Sequence, residues 1–149
     1  MVTKKKVCSF VCAALMLTAL ALQFVPYWSF ATEEGEMSCS INSFVWMPRE
    51  HENMTAYLQE QIEPGYTVDR VWQMPALMLV SGAVGIAFAL IKPETVLGGL
   101  CACICGGAGL WGFLTNAALK TGQIWAAELI VSALVLAAGA AAISMQTRR

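Results

Sequence analysis

Four long apolar runs, separated by polar breaks, constrain this chain more than any other feature. A helix rises about 1.5 Å per residue, so crossing about 30 Å of hydrocarbon takes about 20 apolar residues. The runs 7–25, 73–91, 95–119 and 124–145 each meet that requirement. The chain is 58% hydrophobic and only 13% charged, where a soluble domain carries about 25% charged residues. At 149 residues it is too short to hide that excess in a larger core. The fold expected is therefore an all-α membrane protein, a four-helix transmembrane bundle forming one membrane domain over residues 1–149.

The polar breaks set the topology. Lys92-Pro93-Glu94 and Lys120-Thr121-Gly122-Gln123 are short, and short connections force antiparallel neighbours. Lys4, Lys5 and Lys6 precede the first run, and Arg148 and Arg149 follow the last. By the positive-inside rule both ends lie in the cytoplasm, and segment 26–72 is extracytoplasmic. The expected location is the plasma (inner) membrane, with a multi-pass chain. Tyr27, Trp28 and Trp72, with Trp111 and Trp125, mark the outer interface. All acids except Glu94 and Glu128 fall within 26–72, and the net charge is −1. That segregation leaves no continuous basic face for nucleic acid. The first run also reads as a cleavable signal, with Ser29-Phe30-Ala31 as its cleavage site. Its length exceeds the 7–15 residues of a usual signal core, which favours a retained anchor.

The outer segment carries its own structural signals. Tyr27 to Thr32 is rich in β-formers, Glu33-Glu34-Gly35-Glu36 signals a turn, and Ser38 to Met47 partly alternates. This predicts a small extracytoplasmic β-hairpin on the outer end of the first helix. After Pro48, Met54, Tyr57, Leu58 and Ile62 recur at helical spacing, with Asn53 as N-cap. A short helix therefore follows the hairpin, before the second transmembrane helix. Trp28, Phe44, Trp46 and Tyr57 are the aromatic candidates for a recognition surface in this loop. His51, between Glu50 and Glu52, reads more simply as a solvated side chain than as a pH sensor. Asn53-Met54-Thr55 matches the glycosylation sequon.

Few polar groups lie within the apolar runs. Glu128 and Asn116 are the intramembrane polar candidates, and an intramembrane acid is a functional hypothesis by default. Glu128 follows Gln123 by five residues, about 7 Å along a helix. Lys120, Arg70 and Asn116 are its expected partners. Pairing inside the bundle is the plainer reading, and a proton- or cation-coupled role the sharper one. Cys101, Cys103 and Cys105 lie in the third run, Cys8 and Cys12 in the first. Thiolates bind soft metals, and Cys101 and Cys105 share a helix face. No histidine or carboxylate accompanies them, and cysteine also serves as a small apolar packing residue. Packing is the favoured role, with Cys101 and Cys105 as weak metal candidates and no metal or other cofactor expected. Cys39 is the single cysteine of the outer segment and suggests either a buried thiol or an intermolecular bridge.

Small residues recur every fourth position: Ser81, Gly85 and Ala89; Gly98, Ala102 and Gly106; Ala133, Ala137 and Ala141. Such rows let helix backbones approach closely where lipid supplies no hydrophobic drive. The third helix, small on several faces, is expected at the bundle centre. No P-loop, G-x-S-x-G, HExxH or CxxC pattern occurs, so no enzymatic activity is expected.

Pro26-Tyr27-Trp28 at the mouth of the first helix and the later Trp46 resemble the pattern of claudin-like tetraspan proteins. That resemblance implies a strand-bearing first outer loop and a role in cell–cell contact and paracellular selectivity. The family's loop disulfide pair is missing, since only Cys39 is present, and the second outer loop is very short. The expected function is a non-enzymatic interaction or assembly protein acting through its outer loop. The alternative is a small transporter, or a membrane subunit of one, using Glu128 and the third-helix cysteines. The expected partners are the lipid bilayer and either a second copy or another membrane protein.

Overall fold

A computed structural model describes residues 3–33, 35–41, 56, 60, 73–120 and 122–148. The described elements are α1 (Lys4–Leu22), β1 (Trp28–Thr32), β2 (Gly35–Cys39), α2 (Gln73–Ile91), α3 (Leu97–Thr115), α4 (Ala117–Lys120) and α5 (Trp125–Thr147). Four of these helices are long and apolar enough to cross a membrane: α1, α2, α3 and α5.

The three lysines expected before the first helix form its first turn. Thr3 caps that turn, its hydroxyl accepting from the Lys6 N–H. The helix ends at Leu22 rather than running to 25. Gln23, Phe24 and Val25 donate instead to carbonyls three residues back. Pro26 explains the tightening, because the residue before proline is pushed out of the α region. Helix α2 occupies the expected span, with Pro75 in its first turn. The third run breaks at Asn116, whose backbone is extended, and Ala117–Lys120 forms a separate turn.

The four long helices form a ring in the order α1, α2, α3, α5 and back to α1, with α1 also touching α3 across the diagonal. Helix α3 packs most extensively against α5 and next against α2. It is the best-packed member of the ring and touches all three other long helices, in line with its small residues.

Those small residues explain the close approach. A Cβ at Gly106 would lie 2.5 Å from the Leu136 nitrogen and 2.7 Å from the Ser132 carbonyl oxygen, both on the α5 backbone. A Cβ at Gly139 would lie 2.8 Å from the Gly99 carbonyl oxygen. Ser81, Gly85 and Ala89 are buried as expected, and so are Gly98, Ala102 and Gly106. Ala133, Ala137 and Ala141 are exposed instead. The buried stripe of α5 is Glu128, Ser132, Val135, Gly139 and Ala142. Both rows have helical spacing, and the glycine admits the closer backbone contact.

The outward faces are apolar. Leu17, Val80 and Ile130 are exposed, and Trp111 is 74% exposed. Apolar surface spread around every helix of the ring is what a lipid solvent requires and water penalises.

One end of the ring gathers Lys5, Lys6, the α2–α3 connection and Arg148. Lys5 donates to the Arg148 carbonyl, Gln146 donates to the Pro93 carbonyl at 3.0 Å, and Lys6 lies 3.9 Å from Glu94. The hairpin and the α3–α5 connection occupy the opposite end. There β1 and β2 pair antiparallel from Trp28↔Cys39 to Thr32↔Gly35. Gly35, the first residue of β2, has φ +128°, a region that favours glycine. The second strand was expected over Ser38–Met47 and lies earlier, because the chain pairs immediately after the tight turn. Phe44, Trp46 and Tyr57 lie outside the described residues. So does the expected short helix, apart from Ala56 and Glu60, both helical.

Candidate functional site

The hairpin does not hang from the bundle; its root is embedded in it. Tyr27, Trp28, Cys39 and Ile41 are buried and belong to the same apolar core as Met16, Met78 and Phe113. Tyr27 is the pivot. Its N–H donates to the Cys39 carbonyl, its carbonyl accepts from the Gln123 N–H, and its phenol donates to the Leu119 carbonyl. The ring packs on Gly122 so closely that a Cβ there would collide with it. It also meets the Trp28 ring edge-on at 4.5 Å between centroids. These contacts explain the break at Asn116. Helix α4 turns Leu119 inward, where its side chain is buried and its carbonyl meets Tyr27. Hydropathy carries no trace of such a contact.

Trp28 was expected on a recognition surface. It is 1% exposed, so its ring serves the hairpin root and offers nothing to a partner. Cys39, opposite it in register, is likewise a buried thiol.

Glu128 lies beneath this root. Helix α5 begins at Trp125, whose indole N–H donates to the Phe113 carbonyl at 2.8 Å and pins the helix start to the end of α3. Glu128 therefore sits in the first turn. It is nearer the helix end than a start at Gln123 suggests, yet it is 0% exposed. Among the described residues, neither of its carboxylate oxygens has a hydrogen-bond partner. Ser132, one turn further on the same buried face, is also 0% exposed with an unpartnered hydroxyl. It fits against α3 only because residue 109 is glycine. The Tyr27 phenol lies within electrostatic reach of Glu128; burial first, then the Glu128 charge, push that phenol above its ordinary range.

Neither Lys120 nor Asn116 hydrogen-bonds to Glu128. Lys120 is exposed and Asn116 is half-buried at the end of α3, while Arg70 lies outside the described residues. Sequence reasoning found Glu128 but missed Ser132 and the nearby Tyr27 phenol. Counting four and eleven residues on from Glu128 reaches Ser132 and Gly139, a stripe that would have exposed the buried face of α5.

The cysteines disperse over several contacts. The Cys105 thiol points to the Met78 carbonyl of α2 at 3.6 Å, and the Cys103 thiol to the Leu136 carbonyl of α5 at 4.0 Å. Cys101 packs beside Gly85, while Cys12 is buried and Cys8 half-buried in α1. Among the described residues, no group of three or more histidine, cysteine or acidic side chains is arranged to hold a metal ion. Fold and site together define a class: a helical bundle of membrane-length helices with a root-embedded hairpin and a buried, unpaired acid. Comparison with family models, curated proteins and solved structures gives no match, so function must be argued from these residues.

Proposed function

We propose that the chain is a multi-pass membrane protein working by association rather than catalysis, with the hairpin end as its recognition surface. One observation carries this reading: the hairpin root is fixed to the bundle through Tyr27, Trp28, Cys39 and Ile41. A platform held in place loses little freedom when a partner docks, so more of the contact energy becomes affinity. The partner is a second copy or another membrane protein. The end carrying Lys5, Lys6 and Arg148 faces the cytoplasm, and the hairpin faces outward.

The test places a photoreactive residue at exposed Ser29 or Ser38, or at Thr147 on the opposite end, in the native membrane. The reading expects cross-linked protein from the hairpin positions. Adducts from Thr147 alone would refute it.

A second reading, a small transporter or membrane subunit of one, draws support from Glu128, buried with no partner. It expects Glu128→Gln to alter an ion or solute phenotype in cells while the protein still accumulates in the membrane. Unchanged phenotypes across ions and solutes would remove its motive.

A further inference from the structure

An ionised carboxylate in an apolar interior is tolerated only when something compensates it, and among the described residues no group does so at Glu128. The described residues of the other long helices at this end offer no charge. At this end of the bundle α2 contributes Met78, and α3 contributes Gly109 and Phe113. Gln23, just after α1, contributes a buried amide. Among the described residues, the titratable neighbour is Tyr27, whose phenol is committed to the Leu119 carbonyl. Hard metal cations take about 6–8 oxygens, whereas this face offers the two of Glu128 and the one of Ser132.

We propose that Glu128 is a proton-binding site in the bundle core, with Ser132 as acceptor for the bound proton and Tyr27 as the cover that separates the site from the hairpin side. Residues four apart on a helix have Cβ atoms about 5–6 Å apart. A rotamer change therefore lets the Glu128 carboxyl donate to the Ser132 oxygen. Opening requires Tyr27 to leave Leu119 and Gly122, which couples access to the seating of the hairpin. This inference does not rest on partner binding at the hairpin surface, and the two are tested separately.

A hydrophobic carbodiimide reacts with protonated carboxyl groups in apolar surroundings, and mass spectrometry locates the adduct. The full chain in lipid nanodiscs is treated across a pH series, in parallel with a water-soluble carbodiimide. The hydrophobic reagent should modify Glu128 near neutral pH, and the adduct should fade as pH rises. The water-soluble reagent should leave Glu128 untouched. Glu128→Gln should lose the adduct while keeping the elution profile of the folded protein. Ser132→Ala should move the midpoint to lower pH, and Tyr27→Ala should admit the water-soluble reagent. Three results overturn the proposal. One is no adduct at Glu128 in either the parent or Tyr27→Ala. Another is a midpoint at or below the ordinary glutamate value of about 4.3. The third is suppression of the adduct by sodium ions at fixed pH, which would make a metal cation the occupant.

Discussion

Replacing Gly106 by alanine should pry α3 from α5, while the same change at its neighbour Gly107 should not. At Gly106 the new Cβ would lie 2.5 Å from the Leu136 nitrogen, 2.7 Å from the Ser132 carbonyl oxygen and 2.9 Å from the Leu136 Cα. All three are backbone atoms, so no side chain can swing aside. Ordinary contact begins near 3.4 Å, so 3.4 minus 2.5 leaves about 0.9 Å for the helices to open. A gap of about 0.5–1 Å forfeits a quarter to a half of each dispersion well along the seam. In a membrane those wells are the main attraction between helices. Overpacking of this kind costs roughly 1–3 kcal/mol, offset by about 1 kcal/mol of helix propensity gained over glycine. At Gly107 nothing lies within 4 Å, so only the propensity gain remains. Reversible unfolding in mixed micelles with increasing dodecyl sulfate, followed by circular dichroism, compares the two. Gly106→Ala should unfold at a lower denaturant fraction than the parent, and Gly107→Ala at an equal or higher one. Equal losses at both positions, or none at Gly106, would refute the packing argument.

Other substitutions probe the hairpin root. Gly122→Ala should drive a methyl group into the Tyr27 ring and cost roughly 1–3 kcal/mol in the same unfolding assay. Trp125→Phe should cost about 1 kcal/mol by leaving the Phe113 carbonyl without its indole donor. Tyr27 has its phenol pushed up in the folded state. Its contribution is therefore complete below the unfolded value of about 10 and is lost as pH rises beyond it. Tyrosinate absorbance during alkaline titration should show Tyr27 ionising only with unfolding, and Tyr27→Phe should remove that signal. The exposed Lys6–Glu94 pair should contribute under about 1 kcal/mol, so Lys6→Gln should leave the unfolding midpoint almost unchanged.

Much of the architecture is legible in the sequence because it depends on one-dimensional quantities. Run length and apolar continuity locate the four long helices, and Glu33-Glu34-Gly35 marks the hairpin turn. Features that depend on meeting partners are harder to read. The break at Asn116 answers a tyrosine in a distant segment. On α5 two small-residue rows compete, and the alanine row is the more regular in sequence. The glycine of the other row lets α5 approach Gly99 and Cys103. Trp28 reads as an interface aromatic because tryptophans favour membrane rims, but its place opposite Cys39 in the strand register turns it inward. Glu128 stood out as an acid in an apolar run. That it lacks a hydrogen-bond partner among the described residues could not be read, since Lys120 and Asn116 are near it in sequence.

The central claim is that four helices cross a bilayer with the hairpin on one side and the ends of α1 and α5 on the other. In a cysteine-free background, single cysteines at Thr3, Ser38 and Arg148 can be challenged with a membrane-impermeant maleimide in intact cells and in inverted vesicles. The account predicts that Ser38→Cys labels only from outside and that Thr3→Cys and Arg148→Cys label only from inside. Labelling of all three from the same side would contradict it.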